Sequence, residues 1–287
     1  MIIAITGSTG FIGRNLKAYF VKKGMKIISV PREILYDKNA ILKQLQGVDV
    51  IIHLAGYPIT KLWTAKNKRK IYESRAITTQ NIVEAINKMD KPPSTFISTS
   101  AIGIYNNIHY HDESSEDFAT NFLGDICLAW EAPMLQINQE YTRTIITRLG
   151  VILGREGGII KQLLPIFKLR LGGKIGHGEY AMPFIHILDL IRFYDEAVSN
   201  ENYQGIYNLV APHIITNEEF THALANATNK KARFTIPVFA LKLLFGKGIM
   251  TVINNPIVIP KQLLQAGYKY EYDQIDEALD QIIKHNP

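Results

Sequence analysis

Three glycines sit within the first thirteen residues, in Ile5-Thr6-Gly7-Ser8-Thr9-Gly10-Phe11-Ile12-Gly13, with the spacing Gly-x-x-Gly-x-x-Gly. They separate an apolar run, Ile2 to Ile5, from a helix-like segment. The chemistry that such a turn supports is the grip of a pyrophosphate. The first glycine lets the chain leave its strand sharply, the second lets the backbone approach the phosphates, and the third lets the next helix sit close on the sheet. The helix start adds free N–H groups and the positive end of its dipole. A glycine triplet alone is a weak signal; the strand before it and the helix after it supply its meaning. Gly7, Ser8, Thr9, Gly10, Phe11, Ile12 and Gly13 are therefore the expected phosphate cradle.

The nucleotide is read at the end of the second strand, Ser29-Val30-Pro31-Arg32-Glu33. In sheets of this kind an acid there takes the ribose hydroxyls of NAD. Here Pro31 stands in that place and Arg32 follows, a guanidinium able to pair with a 2′-phosphate. The reading is NADP(H). Glu33 turned back to the ribose would favour NAD(H), and an Arg32 held only in solvent would favour neither.

These residues need a frame. Strand-like runs at Ile2–Ile5, Lys26–Val30, Val48–Leu54, Thr95–Ser98 and Arg143–Leu149 alternate with helix-like ones at Arg14–Lys23, Asp37–Gln46, Lys66–Met89 and Asn121–Asn138, the last with an irregularity at Pro133. That alternation predicts a parallel sheet with helices on both faces. From about Gly154 glycines crowd together and short elements follow, with one more strand at Ile206–Val210 and helices at Asn217–Asn226, Val238–Phe245 and Gln274–Ile283. The expected fold is α/β, a Rossmann-type doubly wound parallel sheet with a smaller C-terminal α+β substrate lobe. Residues 1–154 and about 184–212 form the NADP-binding domain, and 155–183 with 213–287 form the smaller lobe.

The 287 residues, 47% hydrophobic and 20% charged, are those of an ordinary folded chain. The single cysteine, Cys127, excludes a disulfide framework and fits a reducing compartment. No metal site is expected, the close pair His109 and His111 lying in a loop. No apolar run is long enough to cross a membrane, the late stretch Ile236–Met250 being broken by Lys242 and Lys247. With no basic leader before the first strand, the expected location is the cytoplasm. The charge of +6 is dispersed; its densest run, Lys66-Asn67-Lys68-Arg69-Lys70, reads as a solvated face, so phosphate-bearing ligands rank ahead of nucleic acid.

The cradle together with His53-Leu54-Ala55-Gly56 resembles the extended, or atypical, short-chain dehydrogenase/reductase superfamily. Trp63-Thr64, Ser74-Arg75, Ser98-Thr99-Ser100-Ala101-Ile102-Gly103-Ile104-Tyr105, Trp130-Glu131, Arg148-Leu149-Gly150-Val151-Ile152-Leu153-Gly154, Ile185-His186-Ile187-Leu188-Asp189 and Pro260-Lys261-Gln262-Leu263-Leu264 are similar to one branch of its epimerase family. That branch is the nucleoside-diphosphate-sugar epimerase-like proteins, some called cell-division inhibitors. The resemblance implies that Arg32, Leu54, Ala55, Arg75 and Val151 contact the dinucleotide. It also marks a departure at Glu179-Tyr180-Ala181-Met182-Pro183-Phe184, a stretch expected to face the substrate crevice.

Active members of the wider superfamily use a Ser or Thr with a Tyr-x-x-x-Lys on one helical face, the lysine lowering the tyrosine's pKa for proton transfer. Ser100 occupies the serine position. The helix that should carry the pair reads Leu123-Gly124-Asp125-Ile126-Cys127, with neither phenol nor ammonium. Tyr19 and Lys23 have the spacing but lie on the first helix. Ser100, bonding a substrate carbonyl, and Tyr105, presenting a phenol at the crevice mouth, are the catalytic candidates. Asp125 and Glu131 read as surface or structural charges, His186 as a tie between lobes, and His177 as an outside general acid.

Two functions fit this pattern. One is an NADP(H)-dependent oxidoreductase or epimerase-like enzyme for a small polar substrate, with a nucleotide-linked one in range. The other is a non-catalytic NADP(H)-binding sensor or scaffold. If Arg32 reads the 2′-phosphate, Arg32→Ala should lose about 1.5–3 kcal/mol of preference for NADPH over NADH. Fluorescence titration with both cofactors measures this, and equal affinities in the parent protein end the assignment.

Overall fold

A computed structural model describes residues 1–246, 253 and 255–284. Six parallel strands form the central sheet: β1 (Ile2–Thr6), β2 (Lys26–Val30), β3 (Val50–His53), β4 (Thr95–Ala101), β5 (Arg143–Leu149) and β6 (Gly205–Leu209). Their order is β6-β5-β4-β3-β1-β2, so the chain reverses its direction of travel across the sheet between β1 and β3. Crevices for ligands open at such a switch point, beyond the carboxyl ends of the strands.

Alternation along each strand separates two cores. Ile3, Ile5, Val50, Ile52, Ile97 and Ile145 join a cluster with Leu16 and Phe20 of helix α1 (Phe11–Lys22). Ala4, Ile51, Phe96 and Ile146 face the other way, toward Ile41 of α2 (Lys38–Gln44). With both faces covered, the strands read as continuous apolar runs. Asp37 caps α2 by accepting from the backbone N–H groups of Asn39 and Ala40.

The segment expected as one helix over Lys66–Met89 is three joined pieces: α3 (Ala65–Tyr72), a π-helical turn (Glu73–Ile77) and α4 (Thr78–Ile86). The wider turn carries Arg75, and such turns recur at functional sites. The helix expected over Asn121–Asn138 stops earlier. It runs as α5 (Phe122–Glu131) and tightens to a 3₁₀ turn at Ala132–Gln136, where Pro133 cannot donate an α-helical bond. The Thr95–Ser98 strand continues to Ala101, and the others match to within about two residues at each end.

Beyond β5 come α6 (Gly158–Lys168), α7 (Ile187–Ser199), which covers the α1 face of the sheet, α8 (Asn217–Ala227), α9 (Val238–Phe245), α10 (Lys261–Gln265) and α11 (Ile275–Lys284). Phe167, Phe184, Phe220, Leu224 and Leu279 form a further core there. Of the apolar stretch Ile236–Met250, residues 247–250 lie outside the described residues. No helix among the described residues is long and apolar enough to cross a membrane.

His186 and Asp189 dock this second core on the first. His186 caps α7, its Nδ1 accepting from Leu188 N–H at 3.2 Å, so its proton sits on Nε2, 3.1 Å from Gln281 Oε1 on α11. Its ring packs on Tyr272 at 4.2 Å. The Asp189 carboxylate accepts from Glu271 N–H (2.8 Å) and Tyr272 N–H (3.0 Å). Burial lowers the His186 pKa from 6.5 to about 4. The unfolded chain therefore takes this proton first on acidification, so the associated stability is whole above pH 6.5 and is lost as pH falls toward 4. The slope is up to about 1.4 kcal/mol per pH unit. Urea unfolding at pH 7 and 4.5 should show a larger loss for the parent than for His186→Asn, which keeps an acceptor at the cap. Equal losses would clear the histidine of this role.

Candidate dinucleotide and substrate site

At the switch point one hydroxyl joins β1 to the end of β3. Thr6 Oγ1 accepts from Leu54 N–H (3.0 Å) and Ala55 N–H (3.1 Å), which leaves its own proton for His53 Nδ1 at 2.7 Å. His53 must then carry its proton on Nε2, facing Thr78 Oγ1 at 3.4 Å, and Thr78 donates to Ser74 C=O at 2.9 Å. The imidazole is fully buried, and burial, with Arg75 nearby, lowers its pKa to about 3. A neutral chain of hydrogen bonds thus runs from β1 through β3 to the π turn that bears Arg75.

The glycine turn lies directly above. Gly7 has φ +65°, and a Cβ there would sit 2.9 Å from the Leu54 carbonyl. A Cβ on Gly13 would lie 2.3 Å from Gly7 O, so this glycine is demanded by the turn itself rather than by the sheet below. Gly10 differs: the nearest atom to its Cβ would be Gly7 O at 3.2 Å. Its missing side chain leaves room for something outside the fold. Gly10 also caps α1 without any side-chain acceptor, and no acid occupies the first turn. The N–H groups at the start of the helix are thereby left for an anion.

Two cavities meet at Gly7, Gly10 and Leu54. One, of about 530 Å³, extends past Ser8, Thr9 and Ala55 to Arg32. The other, of about 460 Å³, runs past Phe11 and Ile12 to Val151. Phe11 closes its floor, the ring pressed against Gly154 and Gly157, where a Cβ would stand 2.6 and 2.2 Å from ring carbons. Arg32 is exposed, makes no ion pair among the described residues, and stands 5.7 Å from the centre of the Tyr57 ring, with Lys70 Nζ at 5.5 Å. Glu33 heads a 3₁₀ turn, exposed. Arg75 is withdrawn from solvent. It donates to Tyr57 C=O at 2.9 Å, lies over the Trp130 ring at 4.9 Å, and has its pKa lowered by burial to about 10. It too has no carboxylate partner among the described residues.

Comparison with known proteins agrees with this geometry. The profile of the NAD dependent epimerase/dehydratase family matches residues 3–209, and a domain of unknown function, DUF1731, matches 236–282. The chain belongs to the NAD dependent epimerase/dehydratase family. Relatives similar along its whole length include the epimerase family protein SDR39U1 of Bos taurus, 32% identical over 99% of this chain and 100% of that protein. Epimerase family protein SA0724 of Staphylococcus aureus is 31% identical over 98% of both. Human SDR39U1, whose crystal structure contains NADPH, is 29% identical, with a TM-score of 0.92 and 100% of both chains covered. A dTDP-4-dehydrorhamnose reductase of Bacillus anthracis, solved with NADP, shares the fold at a TM-score of 0.81 and 18% identity.

Within this epimerase-family fold, the positions expected to relay protons are altered. Leu123 borders a third cavity. Cys127, where an ammonium was sought, is a buried thiol pushed by burial up to about 12. Ser100 Oγ, at the end of β4, is buried and lacks a hydrogen-bond partner of sound geometry, with the Cys127 thiol beside it.

Tyr105 does not present a free phenol. It is 2% exposed, donates to Asn208 Oδ1 (3.0 Å), accepts from Arg148 Nη1 (2.6 Å), and stacks on His111 at 4.9 Å. Burial raises its pKa despite the Arg148 charge, the opposite of what a phenolate base requires. Glu131 holds Arg148 in a two-bond pair at 2.9 and 2.7 Å, a structural role. Asp125 is exposed on α5. Tyr19 and Lys23 both bond Asp195 on α7, which accounts for their spacing. His177 is exposed and packs on Tyr180. Within the Glu179–Phe184 stretch, Met182 and Phe184 are buried in the smaller core, while Ala181 C=O accepts from Asn255 Nδ2 at 3.2 Å, a residue in the wall of the third cavity. No group of residues suited to hold a metal occurs among the described residues.

Sequence reasoning missed Thr6, Tyr57 and the split of the basic run. Lys68 and Lys70 are two residues apart, about 200° around a helix, so Lys70 turns to Tyr57 and Lys68 to Phe122. The glycines also separate two roles. Gly13→Ala should cost about 1–3 kcal/mol of stability through overpacking. Gly10→Ala should leave thermal unfolding within a few degrees and weaken NADPH binding. Calorimetric melting and NADPH titration of both variants test this, and identical behaviour would contradict it.

Proposed function

We propose that this epimerase-family chain binds NADP(H) and acts as an oxidoreductase or epimerase-like enzyme on a small polar substrate. The observation that carries the reading is the uncapped start of α1 beside the unpaired Arg32, at the two ends of one crevice. The N–H groups of the Gly7–Gly13 turn suit a diphosphate, and Arg32 with Lys70 close by suits a 2′-phosphate. Leu54, Ala55 and Val151 line the remaining path, and Arg75 stands behind Gly56 at its edge. NADPH in the human relative supports the same assignment. Bound there, a nicotinamide dinucleotide supplies hydride transfer.

The chain's own contribution to the reaction centres on Ser100. Its hydroxyl, buried beside the Cys127 thiol, is the group assigned here to donate to a substrate oxygen. Tyr105, tied to Arg148 and Asn208, contributes its ring as wall and leaves proton movement to other groups. A cytoplasmic location fits the single buried thiol and stands as part of this proposal; an Arabidopsis thaliana relative is named as chloroplastic.

One observation favours the second reading, a cofactor-binding sensor: Leu123 and Cys127 stand where a proton relay is expected. Turnover separates the two. Incubated with NADPH and a panel of sugars, quinones and aldehydes, the protein should oxidise NADPH with at least one class. Ser100→Ala should slow that turnover about 10²-fold and leave NADPH affinity within about twofold, as for loss of one oxyanion donor. NADPH bound tightly yet consumed with no carbonyl would favour the sensor.

A further inference from the structure

Among the described residues that line the third cavity, of about 460 Å³, one side chain is charged, Lys68, and none is a carboxylate. Lys68 Nζ lies 4.7 Å over the Phe122 ring, and among the described residues no carboxylate comes within ion-pair distance. Two amides in the wall are turned the same way. Asn106 Oδ1 accepts from Ile108 N–H at 3.0 Å and faces His111 Nε2 at 3.1 Å. Asn121 Oδ1 caps α5 by accepting from Leu123 and Gly124 N–H at 2.8 and 3.3 Å. In both, the protein uses the oxygen, so the NH₂ group is what remains for a ligand. Neither NH₂ has a protein acceptor among the described residues. An ammonium and two amide side chains with NH₂ groups to spare therefore line one space, and no described residue in its wall is a charged acceptor.

The rest of the wall is aromatic. Trp63 and Phe122 meet edge to face at 5.0 Å, and Trp63 Nε1 donates to Ile59 C=O at 2.9 Å, which holds the indole in place. Such a surface favours a planar or apolar group. Leu123, at the position where a substrate-facing tyrosine was sought, lines this space beside Gly103.

We infer that this cavity is the substrate pocket, and that its ligand carries a single anionic group, a carboxylate or a monophosphate, paired with Lys68 and joined to a planar or apolar segment against Trp63 and Phe122. One cation matches one such group. A diphosphate-linked substrate would bring further charge into a wall with no second cation among the described residues, and unpaired charge is costly to desolvate. That this ligand is a substrate rests on the enzymatic reading above; that the cavity selects an acid does not.

Phenylacetate, phenyl phosphate and the neutral phenylacetamide are suitable probes, titrated by calorimetry and tryptophan fluorescence into the full chain with and without saturating NADPH. The two acids should bind at least about tenfold more tightly than the amide, the scale of one charge-assisted hydrogen bond. Lys68→Met should erase that preference, and Lys68→Arg should retain part of it. The stronger of the two acids identifies the anionic group. Failure of both acids to bind, an amide that binds as well as they do, or an unchanged preference in Lys68→Met would overturn the inference. NADPH affinity is measured alongside. Its absence in the parent defeats the cofactor reading and leaves the acid result to stand or fall by itself, whereas an unaltered value in Lys68→Met confirms that the variant is folded.

Discussion

Thr6 Oγ1 holds the site together. A hydroxyl has one proton to give and two lone pairs, and here all three are used: two backbone N–H groups at the end of β3 and the ring of His53. This pins the tip of β3 to the tip of β1, at the one place where the strand order reverses. The Gly7 turn rests on the Leu54 carbonyl, α1 starts from that turn, and the π turn with Arg75 hangs from His53 through Thr78. A slack joint at Thr6 would move the glycine turn, Leu54, Ala55 and Arg75 independently of one another. Because His53 is buried and neutral, the joint carries no net charge and needs no counterion.

The arginines show how the fold separates structural charge from charge kept for a ligand. Arg148 is buried but receives both oxygens of Glu131 and the Tyr105 hydroxyl. Removing one member of such a pair costs about 3–5 kcal/mol, because the other is left charged and dry. Arg32 and Arg75 have no carboxylate partner among the described residues. Arg32 tolerates this because water reaches it; Arg75 has only backbone carbonyls and the face of Trp130. A half-buried guanidinium with no carboxylate beside it among the described residues is suited to an anion, and its π turn places it at the edge of Gly56, beside the crevice.

The chemistry of the family is narrowed here by what occupies α5. A leucine and an inert thiol stand in the places of a phenol and an ammonium, and the nearby phenol of Tyr105 is committed to Arg148 and Asn208. Ser98 and Ser100 on β4 have hydroxyls without a hydrogen-bond partner of sound geometry, and Ser100, nearer the strand end, lies beside the Cys127 thiol. The burden of positioning then shifts to the cavity walls, where Lys68, Asn106 and Asn121 present donors and Trp63 and Phe122 present rings.

Much of this was legible from residue order. The Gly7-x-x-Gly10-x-x-Gly13 turn, the alternation of apolar runs with amphipathic ones, and the basic corner at Arg32 are local patterns set by backbone geometry and side-chain periodicity. They suffice for the sheet, its covering helices and the cradle. The π turn at Glu73–Ile77, the burial of Tyr105 and the inward packing of Met182 and Phe184 were not legible, because each depends on neighbours far along the chain. The tautomer of His53 follows from a donor on Thr6 and an acceptor on Thr78, and the direction of Lys68 from Phe122, more than fifty residues away. Local order thus determined which elements form and where the glycine turn lies. Tertiary contacts alone decided which polar groups were already satisfied and which were left to meet a ligand, since a hydrogen-bonding capacity is spent or spare only once the whole chain has closed around it.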